Sequence, residues 1–346
     1  MSIKTHQLVL KQRPNAAVPT FSPELFELKS VELAELKQGE FLVEAKVFSC
    51  DPTQRIWVTD VPQYMPPVAL AEPMRSGFGG VVSASKSAAF PVGASVVGFG
   101  HWAEHLVFHE SLQAAGMIGV LPAGIPLELG VASGLCPETA YIGLFCTGPK
   151  PLRPGEVLLV TGAAGATGSA VVQMAKAIGA IVIGSAGGAQ KCAYLKELGA
   201  DHVIDYKSED FGARLAQIAP GKIDYVFDNV GGSQLDAALL QLAMNARVII
   251  CGAIGEYETL ETARPGLKNY TMLLMRRASM TGFIFMDDAK NVILARNAIG
   301  RWLQSGQLKV KLDLNPGKLT DVPKTVQKLF SGENFGKTLH VLNSKL

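Results

Sequence analysis

Between Val157 and Gly179 the chain passes from an apolar strand into a glycine loop and then a helix, a succession that few folds accommodate. Leu158, Leu159 and Val160 are apolar without alternation, the pattern of a strand covered on both faces of a parallel sheet. Thr161, Gly162, Ala163, Ala164, Gly165, Ala166, Thr167 and Gly168 follow, and Ala170, Val171, Val172, Met174, Ala175 and Ile178 then recur at helical spacing. Gly165 and Gly168 lack the β-carbons that would keep a pyrophosphate off the backbone. The new helix directs unpaired amides and its positive dipole end at such an anion. A dinucleotide is the ligand that suits this arrangement.

Glycines alone carry little weight in a chain with 36 of them, so context decides. A second apolar strand, Ile181 to Ser185, follows at the distance expected within a βαβ unit. An NAD site places Asp or Glu about 20 residues beyond the glycines to bind the adenine ribose. No acid lies between Gly168 and Glu197; the second strand instead runs into Gly187 and Gly188, with Lys191 in the first turn beyond. No carboxylate there repels a 2'-phosphate and an ammonium attracts one, which points to NADP(H). The alternative makes Lys191 a solvated helix residue.

The length of 346 residues and 48% hydrophobic content allow a large core and two domains. A net charge of +2 without charge blocks argues against nucleic acid or an acidic membrane surface as the main partner. Five scattered cysteines without Cys-x-x-Cys spacing read as reduced thiols. Met1 to Pro14 lacks the apolar run of a signal peptide, and no stretch has the length to cross a bilayer. Ser344, Lys345 and Leu346 match the tripeptide read by the peroxisomal import receptor. The expectation is therefore the peroxisomal matrix if the source is eukaryotic, and otherwise the cytoplasm.

Residues 1–132 read as a mostly antiparallel β domain of short strands: Gln7–Leu10, Phe41–Phe48, Gly79–Ser83, Ser95–Phe99 and Ala103–Phe108. Residues 133–309 alternate strand and helix, with helices over Ala189–Leu198 and Ser233–Ala243 and strands over His202–Ile204, Asp224–Asp228, Arg247–Cys251 and Ser279–Phe283. That predicts a doubly wound α/β sheet of about six strands. Asp287 and Asp288 cap a helix through Val292, Ala295, Ile299 and Leu303 that Gly306 stops. Residues 310–346 offer a strand, a helix and a strand, and are expected to return to the first domain.

A dinucleotide site implies hydride transfer, which leaves the group that polarises the acceptor. No Cys and His pattern has metal-site spacing; His101, His105 and His109, read as one strand, share a face but lie about 13 Å from one to the next and cannot share an ion. None of the seven tyrosines has Lys four residues later, against a short-chain dehydrogenase Tyr-x-x-x-Lys pair. The remaining option is a neutral hydroxyl that donates to a developing enolate. Tyr257 follows a strand and the turn Gly252, Ala253, Ile254, Gly255 at the carboxyl edge of the sheet, and a phenol stays protonated near neutrality. The plainer reading makes Tyr257 an aromatic lid over that loop.

Over nearly its whole length the chain resembles the zinc-independent medium-chain dehydrogenase/reductases, in the branch of prostaglandin reductase, leukotriene B4 12-hydroxydehydrogenase and plant alkenal double-bond reductases. The resemblance rests on Asp51-Pro52 with Arg55, Glu138-Thr139-Ala140-Tyr141, Gly162 to Gly168 and Phe227-Asp228-Asn229-Val230-Gly231-Gly232. Cys251-Gly252-Ala253-Ile254 with Tyr257, and Glu333-Asn334-Phe335-Gly336-Lys337-Thr338, complete it. Cys50 and the segment Val61 to Phe90 depart from the family pattern.

The resemblance implies a Rossmann cofactor domain, a GroES-like first domain and a homodimer joined through the cofactor domains. It implies NADPH with its pyrophosphate on the amides of Ala166 and Thr167 and its 2'-phosphate held by Gly187, Lys191 and Tyr206. Asn229, with Cys251, Gly252, Ala253 and Ile254, would line the nicotinamide ribose and ring. Phe283, Ile284 and Phe285 would meet the carboxamide, Asn334 would close the site, and Tyr257 would donate to the enolate. The activity implied is reduction of the carbon–carbon double bond of an α,β-unsaturated ketone or aldehyde, an activated alkene. A quinone reductase, an enoyl-thioester reductase and a non-catalytic NADPH-binding regulator are the other readings.

Overall fold

The structure, a computed structural model, describes residues 3–259 and 265–343. The chain divides into two compact units, Met1–Ala132 with Leu312–Leu346, and Ser133–Lys311.

The first unit contains strands β1 (Ile3–Leu10), β2 (Phe26–Leu33), β3 (Glu40–Ser49), β4 (Arg75–Ser85), β5 (Ser95–His101), β6 (His105–His109) and β7 (Ile118–Val120). Short helices α1 (Thr53–Trp57), α2 (Ser111–Ala114) and α3 (Leu127–Ala132) lie between or after them. The second unit holds β8 (Val157–Val160), β9 (Ile181–Ala186), β10 (His202–Asp205), β11 (Ile223–Asp228), β12 (Leu242–Ile250) and β13 (Ser279–Gly282). Its helices are α4 (Leu135–Phe145), α5 (Ala166–Ala177), α6 (Ala189–Glu197), α7 (Phe211–Ile218), α8 (Gly232–Leu239), α9 (Met272–Arg276) and α10 (Ala289–Gln304). The chain then supplies β14 (Leu312–Gly317), α11 (Val322–Ser331) and β15 (Lys337–Leu342) to the first unit.

In the first unit the main sheet runs β14-β15-β3-β4-β5-β7, with β6 also paired to β3. Pairing is antiparallel except between β14 and β15, and β15 meets β3 through Leu339 opposite Ser49 and Val341 opposite Val47. The returning tail is thus built into the sheet. Phe41, Phe48, Phe78 and Phe90 are fully buried in this unit, and Phe41 stacks on Phe90 with centroids 4.0 Å apart.

The second unit is a parallel six-stranded sheet in the order β10-β9-β8-β11-β12-β13. Side chains alternate between its two faces even though both are apolar. Leu158, Val160, Val182, Tyr225, Phe227 and Ile249 enter one core with α4, α5 and α10. Leu159, Ile183, Ile204, Val226 and Val248 enter the other with α7 and α8. This order reverses direction between β8 and β11, which opens the crevice where doubly wound sheets take ligands.

Several boundaries depart from the sequence reading. The helix expected over Ser233–Ala243 ends at Leu239, and Leu242 already begins β12. The apolar residues Leu239, Leu240 and Leu242 fit either period, and Leu242 pairs with Ile223 in the sheet. His101 ends β5 whereas His105 and His109 bound β6, so the three histidines do not share one strand. The α10 helix starts as expected: the Asp288 carboxylate accepts from the amides of Lys290 and Asn291 at 2.9 and 3.2 Å.

Candidate active site

Three glycines shape the loop after β8, and each has a different job. Gly162 takes φ +58° for the tight turn, and Gly165 N–H donates to its carbonyl at 3.1 Å. Gly165 is the N-cap of α5 with no side-chain cap, which leaves the first helical amides, at Ala166 and Thr167, for an anion. A methyl group at Gly165 would meet nothing nearer than the Gly162 oxygen at 3.3 Å, so this face of the loop is open to a ligand. At Gly168 the same methyl would lie 2.5 Å from the Gly162 oxygen and 2.7 Å from the Ala163 Cα. Gly168 therefore serves close packing of helix on loop; the sequence reading had given it the ligand-approach role of Gly165.

The adenosine end of such a ligand falls beyond β9. Gly187 and Gly188 follow that strand, the latter at φ +95°, and α6 then carries a half-buried Lys191. A β-carbon on Gly187 would stand 2.8 Å from both the Tyr206 Cζ and hydroxyl oxygen, and 3.0 Å from the Lys207 Cε. Gly187 and Tyr206, far apart in sequence, thus meet. The structure also adds a carboxylate here. Asp205 pairs with Ala186 across β9 and β10, and its Oδ1 accepts from Gly188 N–H at 2.8 Å and from Lys207 N–H at 3.0 Å. These amides hold its carboxyl below the usual carboxylate range. The stretch from Gly168 to Glu197 has no acid along the chain, but the neighbouring strand brings one to the corner in space.

A buried hydrogen-bond cluster joins the loops that follow β8 and β11. Thr161 Oγ1 donates to Asp228 Oδ1 at 2.6 Å and accepts from Asn229 N–H at 2.8 Å, while Asn229 Nδ2 donates to the Thr161 carbonyl at 2.7 Å. Gly231 N–H donates to Asp228 Oδ2 at 2.9 Å. Burial pushes the Asp228 carboxyl up, and the Thr161 hydroxyl opposes that. The Asp228 carbonyl accepts from Cys251 N–H at 2.8 Å, and the Asn229 carbonyl accepts from Ile254 N–H at 3.1 Å. Asn229, Cys251, Gly252, Ala253 and Ile254 are therefore one connected surface. Burial pushes the Cys251 thiol up, so it stays a neutral wall residue.

Tyr257 lies in the 3-10 turn Ile254–Thr259. Its hydroxyl oxygen accepts from Ala253 N–H at 3.0 Å, and a β-carbon on Gly252 would touch that oxygen at 3.0 Å. The phenol is thereby held over the backbone that follows β12. Phe283, just past β13, packs its ring edge-on to Phe227 at 6.5 Å, with Gly143 too close to both rings to tolerate a side chain. Phe283 and Phe285 both pack on the core, which leaves their backbone and that of Ile284 at the carboxyl edge of the sheet.

Residues 166–297 match the family described as zinc-binding dehydrogenase, and residues 6–115 match the N-terminal domain of oxidoreductase. The chain is 32% identical to the NADPH-dependent curcumin reductase of Escherichia coli over 97% of its own length and 96% of that protein. It is 32% identical to bovine prostaglandin reductase 1 over 91% of its length and 93% of that protein. The structure of CurA from Vibrio vulnificus in complex with NADPH superposes with a TM-score of 0.87 at 32% identity, covering 98% of this chain and 100% of that one. The chain belongs to the zinc-independent medium-chain dehydrogenase/reductase family, in its prostaglandin reductase branch.

In this reductase two of the motifs that carry the resemblance meet inside the first unit. Lys337 Nζ lies 2.5 Å from Asp51 Oδ1, both side chains being under 10% exposed at 3% and 8%. Ser49 Oγ donates to the other carboxylate oxygen, and Lys337 also donates to the Cys50 carbonyl at 3.3 Å. Asn334 belongs to this unit, in the segment between α11 and β15. Arg55 is fully buried and donates to the Pro19 carbonyl at 3.2 Å. Glu138, on α4, pairs with Arg296 of α10 at 2.7 Å and so holds two helices of the cofactor unit together. Among the described residues no group of three or more His, Cys, Asp or Glu is arranged to hold a metal ion, and no helix is long and apolar enough to cross a membrane. Ser344, Lys345 and Leu346 lie outside the described residues.

The sequence reading missed the Thr161–Asp228 tie and the Asp205 carboxylate. Thr161 directly precedes the glycine loop and Asp228 sits inside a quoted motif, so their positions were visible, but only strand order makes them neighbours.

Proposed function

We propose that this protein reduces the carbon–carbon double bond of α,β-unsaturated ketones or aldehydes. It is an NADP-dependent, zinc-independent oxidoreductase, and NADPH is its cofactor; relatives named for NADPH-dependent curcumin reduction and for prostaglandin reduction support that class of reaction. The glycine loop fits the group: Gly165 presents an open backbone face and the uncapped start of α5 offers amides to the pyrophosphate.

NADPH held on the glycine loop would supply a hydride to the β-carbon of the alkene. The electron pair of the double bond then moves onto the carbonyl oxygen as an enolate, and a hydrogen-bond donor beside that oxygen lowers the barrier. Tyr257 is assigned this role. The observation that carries the assignment is the Ala253 N–H bond to its hydroxyl oxygen, which holds the phenol over the backbone after β12, at the carboxyl edge of the sheet where such folds take ligands. The cluster around Thr161 and Asp228 fixes the loops beneath. A proton from solvent at the α-carbon completes the saturated product.

NADPH oxidation by the purified full chain, followed with a panel of enones, quinones and enoyl thioesters, tests the reading. Turnover highest with enones supports it. Preference for quinones or thioesters replaces it with those reductase activities, and tight NADPH binding without turnover replaces it with a regulatory role.

A homodimer joined through the cofactor units belongs to the same proposal. β13 ends the six-stranded sheet, and Leu274 and Met275 of nearby α9 are 76% and 62% exposed, which favours a second copy along this side. A monomeric mass in sedimentation equilibrium would remove it.

A further inference from the structure

The corner beyond β9 holds more charge than Lys191 alone. The Lys207 side chain runs alongside Gly187, its Cε 3.0 Å from where a β-carbon would stand, next to the Tyr206 ring. Its backbone is fixed by a tight turn after β10. Lys207 N–H donates to Asp205 Oδ1 at 3.0 Å, Ser208 and Glu209 N–H donate to the Asp205 carbonyl at 3.0 and 2.9 Å, and Asp205 N–H donates to Glu209 Oε1 at 3.1 Å. The same Asp205 oxygen accepts from Gly188 N–H at 2.8 Å, so one carboxylate ties the glycine turn after β9 to the turn that carries Lys207.

Left to itself, an aspartate beside a 2'-phosphate is an obstacle, because two anions at close range repel. Here the Asp205 Oδ1 is engaged by two amides that draw it to the backbone, and a lysine two residues later brings a cation to the adjoining surface. We infer that Lys207 is a second cation for the 2'-phosphate of NADPH, and that Asp205 is a positioning residue that locks the Gly187–Gly188 turn and Lys207 into one arrangement. This rests on NADPH being the cofactor. It explains how a binding corner for a phosphate tolerates a carboxylate: the acid acts as an acceptor for main-chain donors and organises the cations around the ligand. Those amides hold its carboxyl below the ordinary range, so it keeps that acceptor role at neutral pH.

Fluorescence titration of the full chain with NADPH and with NADH tests the inference. Lys207→Gln should weaken NADPH about tenfold and leave NADH within about twofold, as expected for loss of one charge-assisted contact made only to the extra phosphate. Asp205→Ala should weaken NADPH by a similar factor of about ten, whereas Asp205→Asn, which keeps the acceptor oxygen, should restore most of the affinity. Equal losses for both nucleotides in Lys207→Gln, or no loss, would overturn the role of Lys207. Asp205→Asn as damaging as Asp205→Ala would overturn the positioning role. A wild type with no preference for NADPH would sink the cofactor reading and this inference together, while a clear preference unaffected by Lys207→Gln would sink the inference alone.

Discussion

Thr161 and Asp228 stand at the ends of adjacent parallel strands and share a 2.6 Å hydrogen bond in which both side chains are fully buried. One follows the strand that feeds the glycine loop, the other ends the strand that feeds Asn229. The bond therefore joins the two loops that flank the reversal of strand order, and the threonine oxygen passes the connection on to the Asn229 amide.

Thr161→Val keeps the shape but removes both hydrogen bonds of the hydroxyl and strips a buried carboxylate of a donor. Stability should fall by about 1–3 kcal/mol, read as a lower denaturant midpoint with unchanged slope. The Michaelis constant for NADPH should rise, since Asn229 loses an anchor. An unchanged midpoint would show that water or another donor replaces the hydroxyl.

Gly165 and Gly168 should respond differently to alanine. Gly168→Ala drives a methyl into the Gly162 carbonyl and should lower stability by about 1–3 kcal/mol. Gly165 has φ −75° and ψ 177°, which alanine adopts without strain, so Gly165→Ala should melt near the wild type and yet bind NADPH more weakly. Thermal scans with and without cofactor separate the two; a stable Gly168→Ala protein would contradict the packing role.

Tyr257→Phe removes the hydroxyl proposed to donate to the enolate, while the ring still covers the Gly252–Ala253 backbone. Turnover should drop by ~10-fold or more with little change in the dissociation constant for NADPH. Retained turnover would leave the tyrosine a lid.

Lys191→Ala should weaken NADPH by about tenfold more than NADH, because only the former presents a 2'-phosphate. Parallel losses, measured as Michaelis constants for the two nucleotides, would mean the lysine supports α6 instead.

His340 gives a pH prediction. Its ring is buried, with Nε2 donating to the Lys318 carbonyl at 2.9 Å and Nδ1 accepting from Thr325 at 2.8 Å, and burial lowers its pKa from 6.5. The unfolded chain thus takes up a proton before the folded one does, so stability should decline as pH falls below that 6.5. His340→Gln should flatten this decline in denaturant titrations at successive pH values; an identical slope would place the effect elsewhere.

The parallel sheet was legible because its strands are short apolar runs buried on both faces, and β8, β9 and β11 are found within a residue or so of where the sequence puts them. β2 was not seen: Phe26–Leu33 alternates weakly, carries Glu27, Lys29 and Glu32, and leaves much of its length exposed. The α7 helix went unread as well, although Asp210 caps it through Ala213 N–H at 2.7 Å. Within the site, the residues next to glycines were readable because their backbone demands are local. Asp205 and the Asp51–Lys337 pair were not, since register and the return of the tail decide those contacts, and neither leaves a periodic mark.

The strand β15 joins β3 only after nearly three hundred intervening residues have been made, as Leu339 pairs with Ser49. During synthesis on the ribosome the cofactor unit is complete while the first sheet still lacks two strands, so an open β3 edge waits for the final segment to emerge. Stalled or shortened chains would then expose that edge to neighbours, which makes translation through the last strands a checkpoint for keeping the nascent protein out of aggregates.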